Sequence, residues 1–399
     1  MRAPIFGILS LFVVAPLLVA EVKPLFEERE IDSELGIGYG VALADVDGDG
    51  AKDLVLVDQN EVVWYQNPSW EKHQIIGKLT DRDHVCVAAR DIDGDGKAEI
   101  AVGAQWNPGE TSDTEMSGGI FYLIAPEDRT RLWEPVRVTG HEPTTHRMKW
   151  VRTATDRCEL VVLPLHGRGN VQGVGAPVQV LAYAVPEDPR SEWKSSLVHS
   201  GMHMTHNFDV VPSPEGESET LLIAGREGIV ELAPSDKGWR ERWISKHPVD
   251  SETLLGAGEV RAGAYGGGRP YVVTIEPMHG NQLVVYSPPV NGPKNGEWVR
   301  QVLDDTLVEG HALASRDLLD LSNRQIVVGW RGSKKLSDRV GVKIWWTTKE
   351  DGSGWQAASL DDNRMACEDL ATCDLNGDGK RDVVACGRKT KNLKIYFQK

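Results

Sequence analysis

Asp45-Val-Asp47-Gly-Asp49-Gly-Ala-Lys-Asp53-Leu-Val-Leu-Val57 recurs as Asp91-Ile-Asp93-Gly-Asp95-Gly-Lys-Ala-Glu99-Ile-Ala-Val-Gly-Ala104, and again as Asp374-Leu-Asn376-Gly-Asp378-Gly-Lys-Arg-Asp382-Val-Val-Ala-Cys-Gly387. Each copy is an acidic, glycine-rich turn that runs directly into a short apolar stretch, the pattern of a hairpin loop entering a buried strand. Similar apolar runs without the acidic loop stand at Glu159–Leu165, Thr220–Gly225, Tyr271–Glu276 and Gln325–Trp330. A second β-rich run follows each of the seven: Glu61–Asn67, Gly119–Pro126, Val178–Val185, Gly228–Pro234, Asn281–Pro288, Val340–Thr347 and Asn392–Gln398. A third then opens on Trp70, Trp133, Trp193, Trp239, Trp298 or Trp355, so that six of the 13 tryptophans share one register. The strand ahead of each set starts near Tyr39, His84, His146, His206, Glu259, His311 and Glu368, with spacings of 45, 62, 60, 53, 52 and 57 residues. Seven four-stranded units of this period predict an all-β fold, a seven-bladed β-propeller.

The last unit supplies only three strands before the chain ends at Lys399. Pro24–Asp32, with Phe26 in the tryptophan register, is the expected fourth. Pairing it into the last blade closes the ring and removes two exposed sheet edges. Ahead of it, Arg2 and the apolar run Ile5–Ala20 read as a secretory signal peptide over residues 1–20, which leaves 21–399 as a single propeller domain that is secreted or periplasmic. No later segment is long and apolar enough to insert in a membrane. The five cysteines are too few for a disulfide scaffold, although Cys373 and Cys386, on neighbouring strands, could form one bridge.

The 399 residues carry 44 Lys+Arg against 59 Asp+Glu, a formal charge of −15. That acidity argues against nucleic acid as a partner. The three acidic loops offer oxygens at positions 1, 3, 5 and 9: Asp45, Asp47, Asp49 and Asp53; Asp91, Asp93, Asp95 and Glu99; Asp374, Asn376, Asp378 and Asp382. With a backbone carbonyl at position 7, each set suits a hard cation, and up to three structural Ca²⁺ ions are expected. Paired glycines let the backbone wrap an ion at positive φ. On these residues the chain resembles the FG-GAP/VCBS repeat family of calcium-stapled propellers, although blades 3 to 6 lack the acidic loop.

Loops in an up-and-down blade alternate between two faces. The starts of the inner strands and the loops joining second to third strands therefore share the mouth opposite the acidic loops. His84, His146, His206 and His311 begin inner strands, and four imidazoles at one register are the expected catalytic groups. His84, His146 and His206, from neighbouring blades, could hold Zn²⁺ or another divalent metal with a position left open for substrate, or act as acids and bases without one. Trp106, His166, Arg226, Glu259, His279, Arg331, Glu368 and Arg388 are the expected substrate-binding residues: arginines to grip oxygens and an indole for a sugar ring to stack on.

Further segments, His146-Arg-Met-Lys-Trp, His206-Asn-Phe-Asp, Gly310-His311-Ala-Leu and Val327-Val-Gly-Trp-Arg331, resemble the propeller domain of fungal aldos-2-ulose dehydratases. That resemblance implies an exported carbohydrate-active lyase or dehydratase performing β-elimination on a keto-sugar or a uronate-containing glycan. No cupin-like second domain follows, so isomerase activity is not implied. The alternative is a non-catalytic, calcium-stabilised propeller that binds a glycan or a protein. Nothing in the sequence fixes the oligomeric state.

Overall fold

The structure, a computed structural model, describes residues 25–213, 216–247, 256–289 and 297–399; the signal-peptide reading of residues 1–20 lies outside them. Among the described residues, strands form seven four-stranded antiparallel sheets, each built from consecutive strands except the last. The inner strands are Gly40–Ala44, Cys86–Arg90, Thr145–Ala154, Thr205–Pro212, Glu259–Ala264, Gly310–Arg316 and Cys367–Cys373, and they line a central channel. Cys367–Cys373, Asp382–Gly387 and Leu393–Gln398 take Phe26–Asp32 as their outer strand, with Phe26 opposite Gln398 and Asp32 opposite Leu393. The ring is closed by its N-terminal strand, as the sequence predicts.

Second strands such as Asp53–Val57, Asp382–Gly387 and Gln325–Trp330 are buried throughout because each lies between two other strands and between two neighbouring blades. Outer strands alternate or face water: Glu71–Ile76 buries only Ile75. The tryptophan register has a local cause. Trp133 and Trp193 are buried at the start of outer strands, and their indole N–H groups donate to the carbonyls of Arg129 and Pro189, four residues earlier. Each indole thus closes its own hairpin turn while packing between blades.

In the three acidic loops both glycines take positive φ, between 74° and 89° at Gly48, Gly50, Gly94, Gly96, Gly377 and Gly379. The first aspartate of each, Asp45, Asp91 or Asp374, accepts the N–H of both glycines. Arg129 ties two loops together by donating to the carbonyls of Val46 and Ala98. The disulfide suggested by the sequence does not form. All five cysteines are free, and Cys373 and Cys386 stand opposite Asp382 and Asp369 instead of each other.

Candidate active site at the channel mouth

Four inner strands carry a β-bulge at one register, where two residues face a single partner. The inserted residues are His146, His206, His311 and Glu368. A bulge adds one residue without advancing the ladder, so it re-aims a side chain that would otherwise enter a blade. Here it turns four polar side chains onto the channel axis. In the other three blades the matching residue is Tyr39, Val85 or Gly258, whose N–H donates to the carbonyl of Val57, Gly103 or Ile275 on the partner strand.

His146, His206, His279, His311, Arg331, Glu368, Arg388, Trp106, Tyr39 and Arg147 surround a cavity of about 130 Å³. His279 enters from the loop after Pro270–Glu276 with φ 53°. Gly258 makes room for it: a Cβ there would stand 3.1 Å from Met278 Cα and 3.3 Å from the His279 nitrogen. Blade 5 thus replaces a side chain on its own inner strand with a histidine from its next loop.

The hydrogen bonds fix the tautomers. His146 Nδ1 lies 2.9 Å from the carbonyl of His206, His206 Nδ1 3.0 Å from that of Gly258, and His311 Nδ1 2.6 Å from that of Glu368. A carbonyl has no hydrogen to give, so each Nδ1 must carry one, and each Nε2 holds a lone pair. Burial above all pushes His146, His206, His279 and His311 well below the usual imidazole range; the charge of Arg147 adds to it in all four, and that of Arg331 in His206, His279 and His311. All four imidazoles are therefore neutral at pH 7.

His206, His279 and His311 bring one nitrogen each within 4.8 Å of one another, with His206 Nε2 and His279 Nε2 only 2.7 Å apart. Three neutral imidazoles, two of them oriented by Nδ1–H to carbonyl bonds, form a donor set suited to a divalent transition metal with an open position. His146 stands apart from this trio. Its Nε2 receives Arg147 Nη1 at 3.1 Å, and Trp106 stacks on its ring at 5.0 Å between centroids. Glu368 accepts Arg331 at 3.0 Å and Arg388 at 3.0 Å, and Arg388 also covers the ring of Tyr39.

Four residues expected at the mouth lie elsewhere. His84 falls one residue short of the ring; Val85 takes that place, while His84 is buried and accepts the Leu79 N–H at 3.2 Å. The trio read as His84, His146 and His206 is therefore replaced by His206, His279 and His311. Glu259 falls one residue beyond the ring, where it lies 3.2 Å from His206 Nδ1 and accepts both bonds of the Asn207 amide, so it props a histidine instead of meeting substrate. His166 pairs in a bridge with Met204, and Arg226 donates to the Gln172 carbonyl; neither lines the cavity. Arg147 is the residue that sequence reasoning missed. Its signal is its place immediately after a ring histidine.

Acidic hairpin loops in three blades, on the face opposite a histidine-rich mouth, set apart this seven-bladed β-propeller. A model of the FG-GAP-like repeat matches residues 45–102, and one of the aldos-2-ulose dehydratase β-propeller domain matches residues 117–289. Aldos-2-ulose dehydratase of Phanerodontia chrysosporium is 27% identical over 281 residues, which is 67% of this chain and 30% of that protein. The chain thus matches under a third of that relative's length. In fold alone it is similar to the β-propeller domain of Cps50 (Swd1) of Myceliophteria thermophila, with TM-score 0.54 and 11% identity over 92% of this chain and 98% of that one. It is likewise similar to a chain of the mitotic checkpoint complex, with TM-score 0.56 and 11% identity over 99% of both. The resemblance read from the sequence is borne out.

Proposed function

We propose that this propeller is an exported dehydratase that removes water from a keto-sugar by β-elimination. The observation that carries the reading is the cluster of His206, His279 and His311 beside His146 and Arg147, in a chain similar to a carbohydrate dehydratase. The donor set fits Zn²⁺ or a similar divalent ion held by His206, His279 and His311, which when bound supplies a Lewis acid for the sugar carbonyl. Trp106 offers the face on which a sugar ring stacks. His146, held by its Nδ1–H on the His206 carbonyl, takes the proton from the carbon next to the carbonyl through Nε2 once the Arg147 N–H on that lone pair turns away to the substrate. Arg147, released from His146 Nε2, donates to the enolate oxygen as it gains charge. The His146 imidazolium then returns its proton to the β-hydroxyl as that C–O bond breaks, so one base serves both transfers and water leaves. Arg331 and Arg388, anchored by Glu368, orient the remaining hydroxyls. A uronate would use the same groups, with an arginine on its carboxylate.

The test is incubation with aldos-2-uloses and with uronate oligosaccharides, following the ultraviolet absorbance of the new carbon–carbon double bond conjugated to a carbonyl. Turnover that is lost on chelation and restored by Zn²⁺ supports the reading. Binding of the sugar with no product from either class would leave a non-catalytic propeller instead.

The acidic loops are proposed as structural Ca²⁺ sites. Asp45, Asp47 and Asp53, and Asp91, Asp93 and Glu99, each bring carboxylate oxygens within 4.8 Å of one another. Asp49 and Asp95 each accept a backbone N–H, of Ala51 and Lys97, and the third loop repeats that pattern at Asp378. Burial, reinforced by Asp47 and Asp49, raises Asp53 to about 6; burial, reinforced by Asp93 and Asp95, raises Glu99 to about 7. A carboxyl raised on folding weakens the ion-free fold as pH climbs from its unfolded value to its folded one. Calcium should therefore raise the melting temperature more at pH 8 than at pH 5, and the double variant Asp93→Ala/Asp95→Ala should lose part of that rise. A wild-type melting temperature indifferent to calcium would make the loops ordinary turns.

A further inference from the structure

Beyond the histidine mouth, the channel opens into a second chamber of about 470 Å³. Tyr39, Val85 and Arg147 line both chambers, so Arg147 stands at the boundary between them. The second chamber reaches Arg90, Arg316 and Thr372, at or near the far ends of inner strands, on the face that carries the acidic loops.

Five cations line it: Arg90, Arg147, Lys149, Arg261 and Arg316. On a chain of net charge −15 this is a local reversal of sign. Two of them are neutralised. Arg90 pairs with Glu219 at 2.8 Å, and Arg261 lies 3.3 Å from Glu259. Among the described residues no ion pair includes Arg147, Lys149 or Arg316, all of them part-buried.

The remaining carboxylates of the chamber are engaged by backbone. Asp209 accepts the Ala262 N–H at 2.9 Å; Asp369 accepts those of Val41 at 3.1 Å and Leu370 at 2.9 Å. Burial, with the charge of Arg261 adding to it, lowers Lys149 to about 8, and burial also lowers Arg316. A cation removed from water without a counter-ion is costly, and a bound anion offsets that cost.

We propose that this second chamber binds a small oxyanion, phosphate or a sugar-acid carboxylate, held by Arg316 and Lys149. The Arg316 guanidinium fork matches two oxygens of either group, and Lys149 adds a point charge. The chamber is within the size range of small-ligand pockets, so a free ion and an acidic sugar both fit. The site does not depend on the proposed dehydration, and its test reads stability instead of turnover.

The full chain would be melted in rising sodium phosphate or sodium glucuronate, against sodium chloride at equal ionic strength. A saturable rise in melting temperature is expected with at least one of the two, because a ligand that binds only the folded state stabilises by mass action. Whichever gives the lower half-saturation identifies the source of the anion. Arg316→Gln and Lys149→Met should each remove most of the rise, and each should fold, because neither residue belongs to an ion pair among the described residues. Arg388→Gln, in the histidine chamber, should keep it. A response no greater than that of chloride overturns the proposal, as does one that survives both chamber variants or disappears only in Arg388→Gln.

Discussion

In the proposed dehydratase, replacing His206 with alanine should abolish binding of the divalent ion and lower turnover by about 10²-fold or more, since the residue serves both the proposed donor set and the proposed base. His206 lies at the centre of the cluster: its ring centroid is 4.7 Å from that of His146, 4.6 Å from His279 and 4.9 Å from His311. Its carbonyl also accepts the Nδ1–H that fixes His146. A strand-start histidine pointing into a wet channel would have little packing to lose, but His206 is only 1% exposed. The alanine variant leaves a void and an unsatisfied Gly258 carbonyl, with a stability cost of about 1–3 kcal/mol. Activity must therefore be measured well below the variant's own melting temperature, alongside its metal content. His84→Ala is the matched control: equally buried, outside the cavity, and expected to lose stability while keeping turnover and metal. Full activity in His206→Ala, or equal losses in His84→Ala, would remove the chemistry from this cluster.

The fold is legible in the sequence because its signals are local and repeated. Tryptophan closes a turn within four residues, and aspartates and glycines shape a nine-residue loop, so each reads the same wherever it occurs. The site is less legible because it depends on counting residues along a strand. Bulges at His146, His206, His311 and Glu368 displace the count by one, and the sequence alone does not say which blades contain them. Hence His84 and Glu259, one residue before and one after the ring, read as members of it. His279 lies on a loop that only Gly258 allows into the ring, and that relation spans 21 positions of sequence. Arg147 was hidden by the alternation rule itself: the neighbour of an inward residue should point away, yet after a bulge both residues face the axis.

Deleting residues 21–34 should cost more stability than any substitution in the channel or the acidic loops. Phe26–Asp32 is the outer strand of the last blade, and its removal exposes the whole edge of Leu393–Gln398. The loss goes beyond backbone pairing. Phe26 packs against the cluster that contains Met365, Cys367 and Tyr396. Glu28 meets Lys394 Nζ at 2.9 Å and also pairs with Arg364; without it the buried Lys394 keeps only Asp361. Asp32 accepts the Tyr65 hydroxyl at 2.6 Å and Lys72 at 3.2 Å, which fastens the closing strand to blade 1 as well as to blade 7. A buried ammonium with half its partners and an open hydrophobic edge favour aggregation over a loosened monomer. The expected outcome is insoluble protein, or a soluble fraction melting on the order of 10 °C lower. Since the strand is held by contacts and not by its covalent link alone, a peptide spanning Leu25–Asp32 added in trans should restore part of the lost melting temperature. A truncated chain that melts like the full one would mean that the ring is held without its closing strand; a peptide without effect on a destabilised chain would place the loss in the linker instead of the strand.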